Sequence, residues 1–443
     1  MATILREVQT LVDGARVDEL DFEATEVRLR STVLQVAARA LEQRFHADTS
    51  DHAGLEQPCP CGQTARYVDR RDKTFTSVLG DLTLQRAYYH CAACQQGFCP
   101  RDRALGMDGD SVSPGALRII GSVAAEVSFE ISSELLWDLA GLRIDAKQVE
   151  RIAERLGVEM ADDERQCTTP HSAEPLPPTL YLGMDGSGIP VRPRELVGRV
   201  GKQPDGKAKT REGKLVTVWS AESRDAEGLP RRDPGSITYS AAIESAATRD
   251  TDEYPSEFAE RVRREATRRR FTEAPRRVVL ADGASYNWNV AAELFPGAIL
   301  ILDRCHAKQH LNAVATALYG KGNPEGEQWA SQRKQELDEE LLEELIGALQ
   351  QHADTCEEAR TCVGYIQRNR HRMRYQEFQA MGLCTTSNIV ESGCKVIFTT
   401  RFKHSAMHWS VLGANKMLAV RCYKRSGRFA DFFERRSRRR LVA

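Results

Sequence analysis

Three acidic residues stand where carboxylates could do metal chemistry. Asp185 closes an apolar run over 179–185, Asp282 closes another over 277–282, and glycine follows each. Apolar runs of this length bounded by glycine read as buried strands, which sets both carboxylates at strand ends. Glu391 lies in a segment of helical spacing, 388–398. Two strand-end aspartates and a helical glutamate make an oxygen-rich pocket suited to Mg²⁺, which prefers carboxylate and water oxygens. Two such ions ~4 Å apart can clamp the attacking and leaving oxygens of a phosphodiester. Each acid also has a plainer role. Asp-Gly after a strand suits a turn, and Glu391, three residues past Asn388, suits a capping box.

Cysteine usage points to a second kind of metal site. Cys59, Cys61, Cys91, Cys94 and Cys99 fall in one short stretch, and the other cysteines are scattered singly. Clustered pairs favour a metal over bridges. Between Cys59-Pro-Cys61 and Cys91-Ala-Ala-Cys94 lie two alternating runs, 73–79 and 82–89, that read as a hairpin. Thiol pairs at the ends of a hairpin make a zinc ribbon, with Cys59, Cys61, Cys91 and Cys94 around a structural Zn²⁺. The first pair is Cys-x-Cys, tighter than usual, so Cys99 stays open as a substitute ligand. A metal-free set of small core thiols is the other reading.

The elements that must position these groups follow from periodicity. Residues 1–50 repeat apolar side chains every three or four positions, which predicts helix. Residues 132–141 and 145–156 read as two helices with a glycine-containing turn between them, a helix-turn-helix pattern. Pro170, Pro175, Pro177 and Pro178 mark a linker over 166–179. Strands are expected at 179–185, 214–221, 236–242, 277–282 and 298–303, with a polar helix at 257–270 before the fourth. The basic stretch 199–214 joins the first two strands as a long hairpin. A charged helical block over 306–381 looks inserted before the Glu391 helix. This is the order of a ribonuclease-H-like α/β core, in which the first and fourth strands are neighbours and Asp185 and Asp282 meet.

At 443 residues the chain exceeds one compact core and predicts several domains. The expected division is a helical segment 1–55, a zinc ribbon 56–105, a helix-turn-helix-like domain 106–165, the first part of the core 176–304, the helical insertion 305–385, and the Glu391 helix with a basic C-terminal region 386–443. No apolar run approaches the ~18 residues of a membrane span, and 1–21 lacks a signal-peptide layout. The expectation is therefore a cytoplasmic protein without a membrane partner. Net charge is −1, yet the charges are segregated, with no Asp or Glu between Ser392 and Ala430. Segregation lets a near-neutral protein present a phosphate-binding face. Lys395, Arg401, Lys403, Lys416, Arg421, Lys424 and Arg425 are candidates there, and Lys207, Lys209 and Arg211 in the hairpin. Trp409 suits stacking on an unpaired base and equally a core anchor.

The segments resemble bacterial insertion-sequence transposases of the Kra type, related to eukaryotic Mutator-like elements. The resemblance runs through Gly183-Met-Asp-Gly-Ser-Gly188, Gly206-Lys-Ala-Lys-Thr-Arg-Glu212, Ala281-Asp-Gly-Ala284, Asp303-Arg-Cys-His306, Asn388-Ile-Val-Glu-Ser-Gly393 and Met407-His-Trp-Ser410. It implies a catalytic triad of Asp185, Asp282 and Glu391 holding two Mg²⁺ (or Mn²⁺) ions. Asp303 and His306 then lie beside the active site, although Asp303 also suits a helix cap. The implied activity is strand cleavage and strand transfer on double-stranded DNA, at terminal inverted repeats and target, by a nucleoid-associated homodimer or higher oligomer. A ribonuclease-H-like nuclease or resolvase that cuts without joining would use the same acids. A transposase-derived regulator would bind DNA without them.

Overall fold

The structure, a computed structural model, describes residues 21–166, 175–199, 208–246, 256–404 and 407–442, with residues 6 and 201. Of the helical stretch expected over 1–50, residues 1–5 and 7–20 lie outside the described residues, as do part of the linker and Lys207. The chain forms two compact units, Met1–Ala153 with Ala430–Ala443, and Glu154–Phe429.

In the first unit α1 (Phe22–Ala47) starts at Asp21, whose carboxylate accepts the Ala24 N–H at 3.1 Å. Four antiparallel strands follow in sequence order: β1 (Glu56–Pro58), β2 (Thr64–Ser77), β3 (Gly80–Cys91) and β4 (Gln96–Phe98). Alternation puts Phe75, Leu82 and Leu84 together in a core that Ala38 and Leu41 of α1 help close. The two alternating runs thus form the expected hairpin. Short α2 (Pro100–Leu105) leads to α3 (Pro114–Ala124), α4 (Phe129–Ala140) and α5 (Ala146–Gln166). Ser113 and Ser128 cap α3 and α4 by accepting the N–H groups of Ala116 and Ile131. Gly141, at φ 68°, ends α4 in the left-handed conformation that glycine adopts without strain. The glycine turn therefore falls where the spacing predicts, while α5 runs past 156 to Gln166.

The boundary between the units falls within α5. The second unit is built on β5 (Thr179–Pro190), β6 (Thr210–Trp219), β9 (Thr238–Ala242), β10 (Arg276–Ala281) and β11 (Ile299–Leu302), while β7 (Ser223–Arg224) and β8 (Pro230–Arg231) form a separate small hairpin. The sheet order is β11-β10-β5-β6-β9. β5 runs antiparallel to β6 and parallel to β10, β9 antiparallel to β6, and β11 parallel to β10. The first and fourth principal strands are thus neighbours, as the element order requires. Leu180, Tyr181, Leu182 and Met184 of central β5 are all buried, so both faces are covered. Helix α6 (Glu257–Arg268) packs on β6 and β9, and α7 (Ser285–Leu294) joins β10 to β11. The expected helical block is α8 (Arg304–Tyr319), α9 (Pro324–Asp338), α10 (Leu342–Gln350), α11 (Glu357–Asn369) and α12 (Tyr375–Ala380). Then come α13 (Asn388–Cys394), a π-helical turn (Lys395–Thr399), α14 (Thr400–Phe402) and α15 (Val411–Arg425), while α16 (Phe429–Val442) belongs to the first unit from Ala430 on. Among the described residues no helix is long and apolar enough to cross a membrane.

One expectation fails in β5. Asp185 does not end its strand, which continues through Gly-Ser-Gly to Pro190. The glycines make room rather than a turn. A Cβ at Gly186 would lie 2.4 Å from Glu212 Oε1, and one at Gly188 would lie 2.6 Å from Thr210 Oγ1.

A buried ionic cluster holds the last turn of α5 to α6. The Glu164 carboxylate meets Arg268 at 2.7 Å, Arg264 at 3.2 Å and Arg261 at 3.6 Å. Burial alone raises its proton affinity, but the three guanidiniums outweigh that and hold it down at about 2, against an ordinary 4.5. Its stabilising effect is therefore present above pH 4.5 and lost as pH falls through about 2. Replacing Glu164 with Gln should cost about 1–3 kcal/mol near neutrality, because Arg264 loses its carboxylate while Arg261 keeps Glu244 and Arg268 keeps Glu265. It should also flatten the acid limb of the stability curve between those pH values, as read by denaturant unfolding across pH.

Candidate active site

Strand register brings the two aspartates together. Ala281 at the end of β10 pairs with Met184 of β5. The next residue on each parallel strand is Asp282 and Asp185, so the carboxylates start from backbones about 4.8 Å apart. Asp185 is half-buried, and its oxygens accept from the Gly186 N–H at 2.6 Å and the Cys394 thiol at 3.2 Å. Burial raises its proton affinity, the two donors oppose this, and the charge of Asp282 adds to the rise. Asp282 Oδ1 accepts from the Ala284 N–H at 3.0 Å and from Asn287 Nδ2 at 2.7 Å. The turn expected after β10 is thus present, and it fixes the carboxylate as well.

Glu391 lies on α13, the helix whose Cys394 donates to Asp185, but among the described residues its carboxylate does not gather with Asp185 and Asp282 into a ligand group as the four cysteines of the first unit do. Val390 seats the helix in the gap left by Gly183, where a Cβ would lie 2.3 Å from Val390 Cγ2. Cys394, three residues after Glu391 and so on the same face, donates to Asp185. Burial and the Asp185 charge push its thiol well above the ordinary range, which keeps it a donor. Glu391 makes no capping box. It is exposed and pairs with Lys395 at 2.9 Å. At that exposure the pair contributes about 0–1 kcal/mol and is easily exchanged.

Asp303 ties the neighbouring elements together. It is buried at the start of α8, and its Oδ1 accepts from the N–H groups of Cys305 and Ser387, both at 3.0 Å. Its Oδ2 accepts from Ser387 Oγ at 2.6 Å. Asp303 therefore acts through α13, because Ser387 begins that helix. His306 lies one turn along α8, close enough for its charge to act on Asp185. Its ring is 5.0 Å from His310, which in turn lies 4.2 Å from Tyr365. Gly283 admits the Tyr365 ring beside Asp282, since a Cβ there would lie 2.1 Å from Tyr365 Cε2. Cys394, His310 and Tyr365 were not among the candidates from sequence. The spacing from Glu391 could have revealed Cys394, but nothing local marks Tyr365.

The cationic candidates divide by burial. Lys403 bonds Ser187 Oγ at 2.7 Å, near the acids, and Lys209 and Arg425 are exposed. Lys424 and Lys416 are half-buried, and Lys416 pairs with Glu154 at 2.9 Å. Arg401 and Arg421 have no exposed surface. Arg421 donates to the Val396 carbonyl and to Thr400 Oγ1, while Arg401 lies 5.1 Å from the Trp409 ring. A guanidinium without surface cannot meet a phosphate in this conformation, so the phosphate expectation fails for these two. Trp409 is buried too, its ring N–H donating to the Phe402 carbonyl at 3.3 Å and its backbone bonded to Pro190 and Arg192. It is the anchor of its two readings.

In the first unit Cys59, Cys61, Cys91 and Cys94 converge, with all four sulfurs within 4.8 Å of one another. Gly62, at φ 84°, closes the turn that the tight Cys-x-Cys requires. Backbone N–H groups, that of Cys94 first, hold the Cys91 thiol below the ordinary value, while the crowded Cys59 and Cys94 thiols are pushed up, so the convergence of the sulfurs rather than their acidity marks the site. These four cysteines could bind zinc. Cys99 stands apart, at the start of α2, and is not needed.

No family model matches the chain, and no curated protein matches it. Among solved structures it is similar to the Drosophila P element transposase strand transfer complex, at 10% sequence identity over 72% of this chain and 80% of that one, with a TM-score of 0.23. A likeness of that size carries no argument about fold or chemistry.

Purified protein should contain one zinc per chain. Cys61→Ser should lose it and destabilise the first unit, whereas Cys99→Ser should retain it. Elemental analysis and thermal melts check both, and a metal-free wild type would contradict the thiol site.

Proposed function

We propose that the second unit is a ribonuclease-H-like core and that the protein is a DNA transposase, cutting DNA at element ends and joining the ends to a target. The observation that carries this is the register that sets Asp185 beside Asp282, with the Glu391 helix fastened to Asp185 through Cys394. The proposal draws also on the resemblance of the segments around these acids to Kra-type transposases.

Asp185 and Asp282 supply the hard oxygen donors that divalent cations take, and Glu391 would have to turn from Lys395 to join them. The charge of Asp282 adds to the burial that raises the proton affinity of Asp185, and a cation between the two carboxylates relieves that repulsion. Asp185, Asp282 and Glu391 would hold two Mg²⁺ or Mn²⁺ ions, with Glu391 exchanging Lys395 for the metal. The chemistry supplied by the bound ions is activation of the attacking water or 3′-hydroxyl and stabilisation of the leaving oxygen. The protein's own groups orient the acids. Cys394 and the Gly186 N–H fix Asp185, and Asn287 fixes Asp282. Asp303 fixes the start of the Glu391 helix through Ser387. His306, whose charge acts on Asp185, would contact the scissile phosphate or a nearby base. Lys209, Arg211, Lys403, Lys424 and Arg425 contact flanking phosphates, and the α4–α5 pair supplies end recognition. Pairing two element ends calls for a dimer or larger assembly.

Asp185→Asn should reduce strand cleavage by on the order of 1,000-fold while leaving affinity for the terminal repeat unchanged. A gel assay with labelled repeat DNA reads both. Loss of binding together with cleavage would count against a metal-holding role. Pre-cut ends offered with a plasmid target then separate joining from simple hydrolysis.

A further inference from the structure

Next to the acids the second unit has an open pocket of about 440 Å³, with Arg199, Arg211, Glu212, Lys214 and Tyr286 in its wall. Register places it. Lys214 pairs with Gly186, the residue after Asp185, and Tyr286 lies in the first turn of α7, just beyond Asp282. The Tyr286 phenol is pushed up by burial and then by the charges of Glu212, Asp282 and Asp185, so the ring stands at the margin of the aspartate pair.

The charges in the wall are unevenly matched. Lys214 is buried, bonds Glu212, and sets its ammonium 3.8 Å from the Tyr286 ring. Glu244, also in the wall, is held by two bonds from Arg261 at 2.6 Å and 3.0 Å. Among the described residues Arg211 makes one long bond, 3.5 Å, to the Glu195 carbonyl, and the Glu195 charge offsets its own in part. Arg199 has no ion-pair partner among the described residues. Burial and the Arg199 charge together hold Arg211 below its ordinary value. Two guanidiniums sharing one cavity repel, and an anion between them relieves the repulsion. Their planar donor forks match phosphate oxygens.

We propose that this pocket seats a backbone phosphate of the DNA strand, next to the phosphodiester presented to Asp185 and Asp282. Arg199 and Arg211 bind its oxygens, and Lys214 holds Tyr286 as the wall toward the acids. This rests on the transposase reading above.

The test compares wild type with the R199Q/R211Q double variant, using duplex DNA that carries the terminal repeat over a range of salt concentrations. R263Q, an exposed arginine outside the pocket, is the control. Loss of two charge contacts should lower the slope of log affinity against log salt by roughly 1.8, with R263Q unchanged. A methylphosphonate scan around the cut, using wild-type protein alone, covers a double variant that folds poorly. One neutralised phosphate beside the cut should weaken wild-type binding. A wild type that binds and cleaves, with an unchanged slope in the folded double variant or no sensitive phosphate beside the cut, overturns the pocket and leaves the function standing. A wild type that binds no DNA overturns both.

Discussion

The close approach of α13 to β5 governs the geometry around the acids. It is possible because Gly183 has no side chain, and Val390 fills the space where a Cβ would stand, 2.3 Å from Val390 Cγ2. Gly393 lets the same helix lie close to β9, where a Cβ would stand 3.0 Å from Tyr239 Cε1. Packing attraction fades within about an ångström, so a side chain at Gly183 would lift the helix. Lifting it would part Cys394 from Asp185 and carry Glu391 away with it. Gly283 does the same for Tyr365 beside Asp282. Three glycines thus set how tightly the helices close on the strand ends.

Around that contact the polar groups are arranged to hold carboxylates still rather than to neutralise them. Asp185 and Asp282 receive neutral donors, a thiol, an amide side chain and backbone N–H groups. Asp303 receives hydroxyl and backbone donors. The full positive charges lie one step further out, on Lys395, Lys403, Lys214 and the two pocket arginines. Such an arrangement leaves the aspartates' negative charge for a cation, and the surrounding cations for a polyanion.

Much of this was legible in the sequence, because strands buried on both faces read as unbroken apolar runs and their order implies their neighbours. The cysteine pairs were legible for a similar reason: a hairpin carries its two ends to one place. What was hidden depends on distant partners. Asp-Gly-Ser-Gly reads as a strand end until Glu212 and Thr210 are seen crossing its glycines. Arg401 and Arg421 read as a cationic surface because no acid lies near them in sequence. Yet backbone carbonyls and hydroxyls satisfy a buried guanidinium as well as an acid can, as Val396 and Thr400 do for Arg421. Tyr365 arrives from the helical block by packing alone, which no local pattern records.

The central claim is that Asp185, Asp282 and Glu391 share bound divalent metal. Replacing Mg²⁺ with Fe²⁺ and adding ascorbate and peroxide cuts a polypeptide beside the bound ion. The account predicts backbone cuts around residues 185, 282 and 391, suppressed by excess Mg²⁺ and lost in Asp282→Asn. Cuts confined to the cysteine region, or none near the two aspartates, would contradict it.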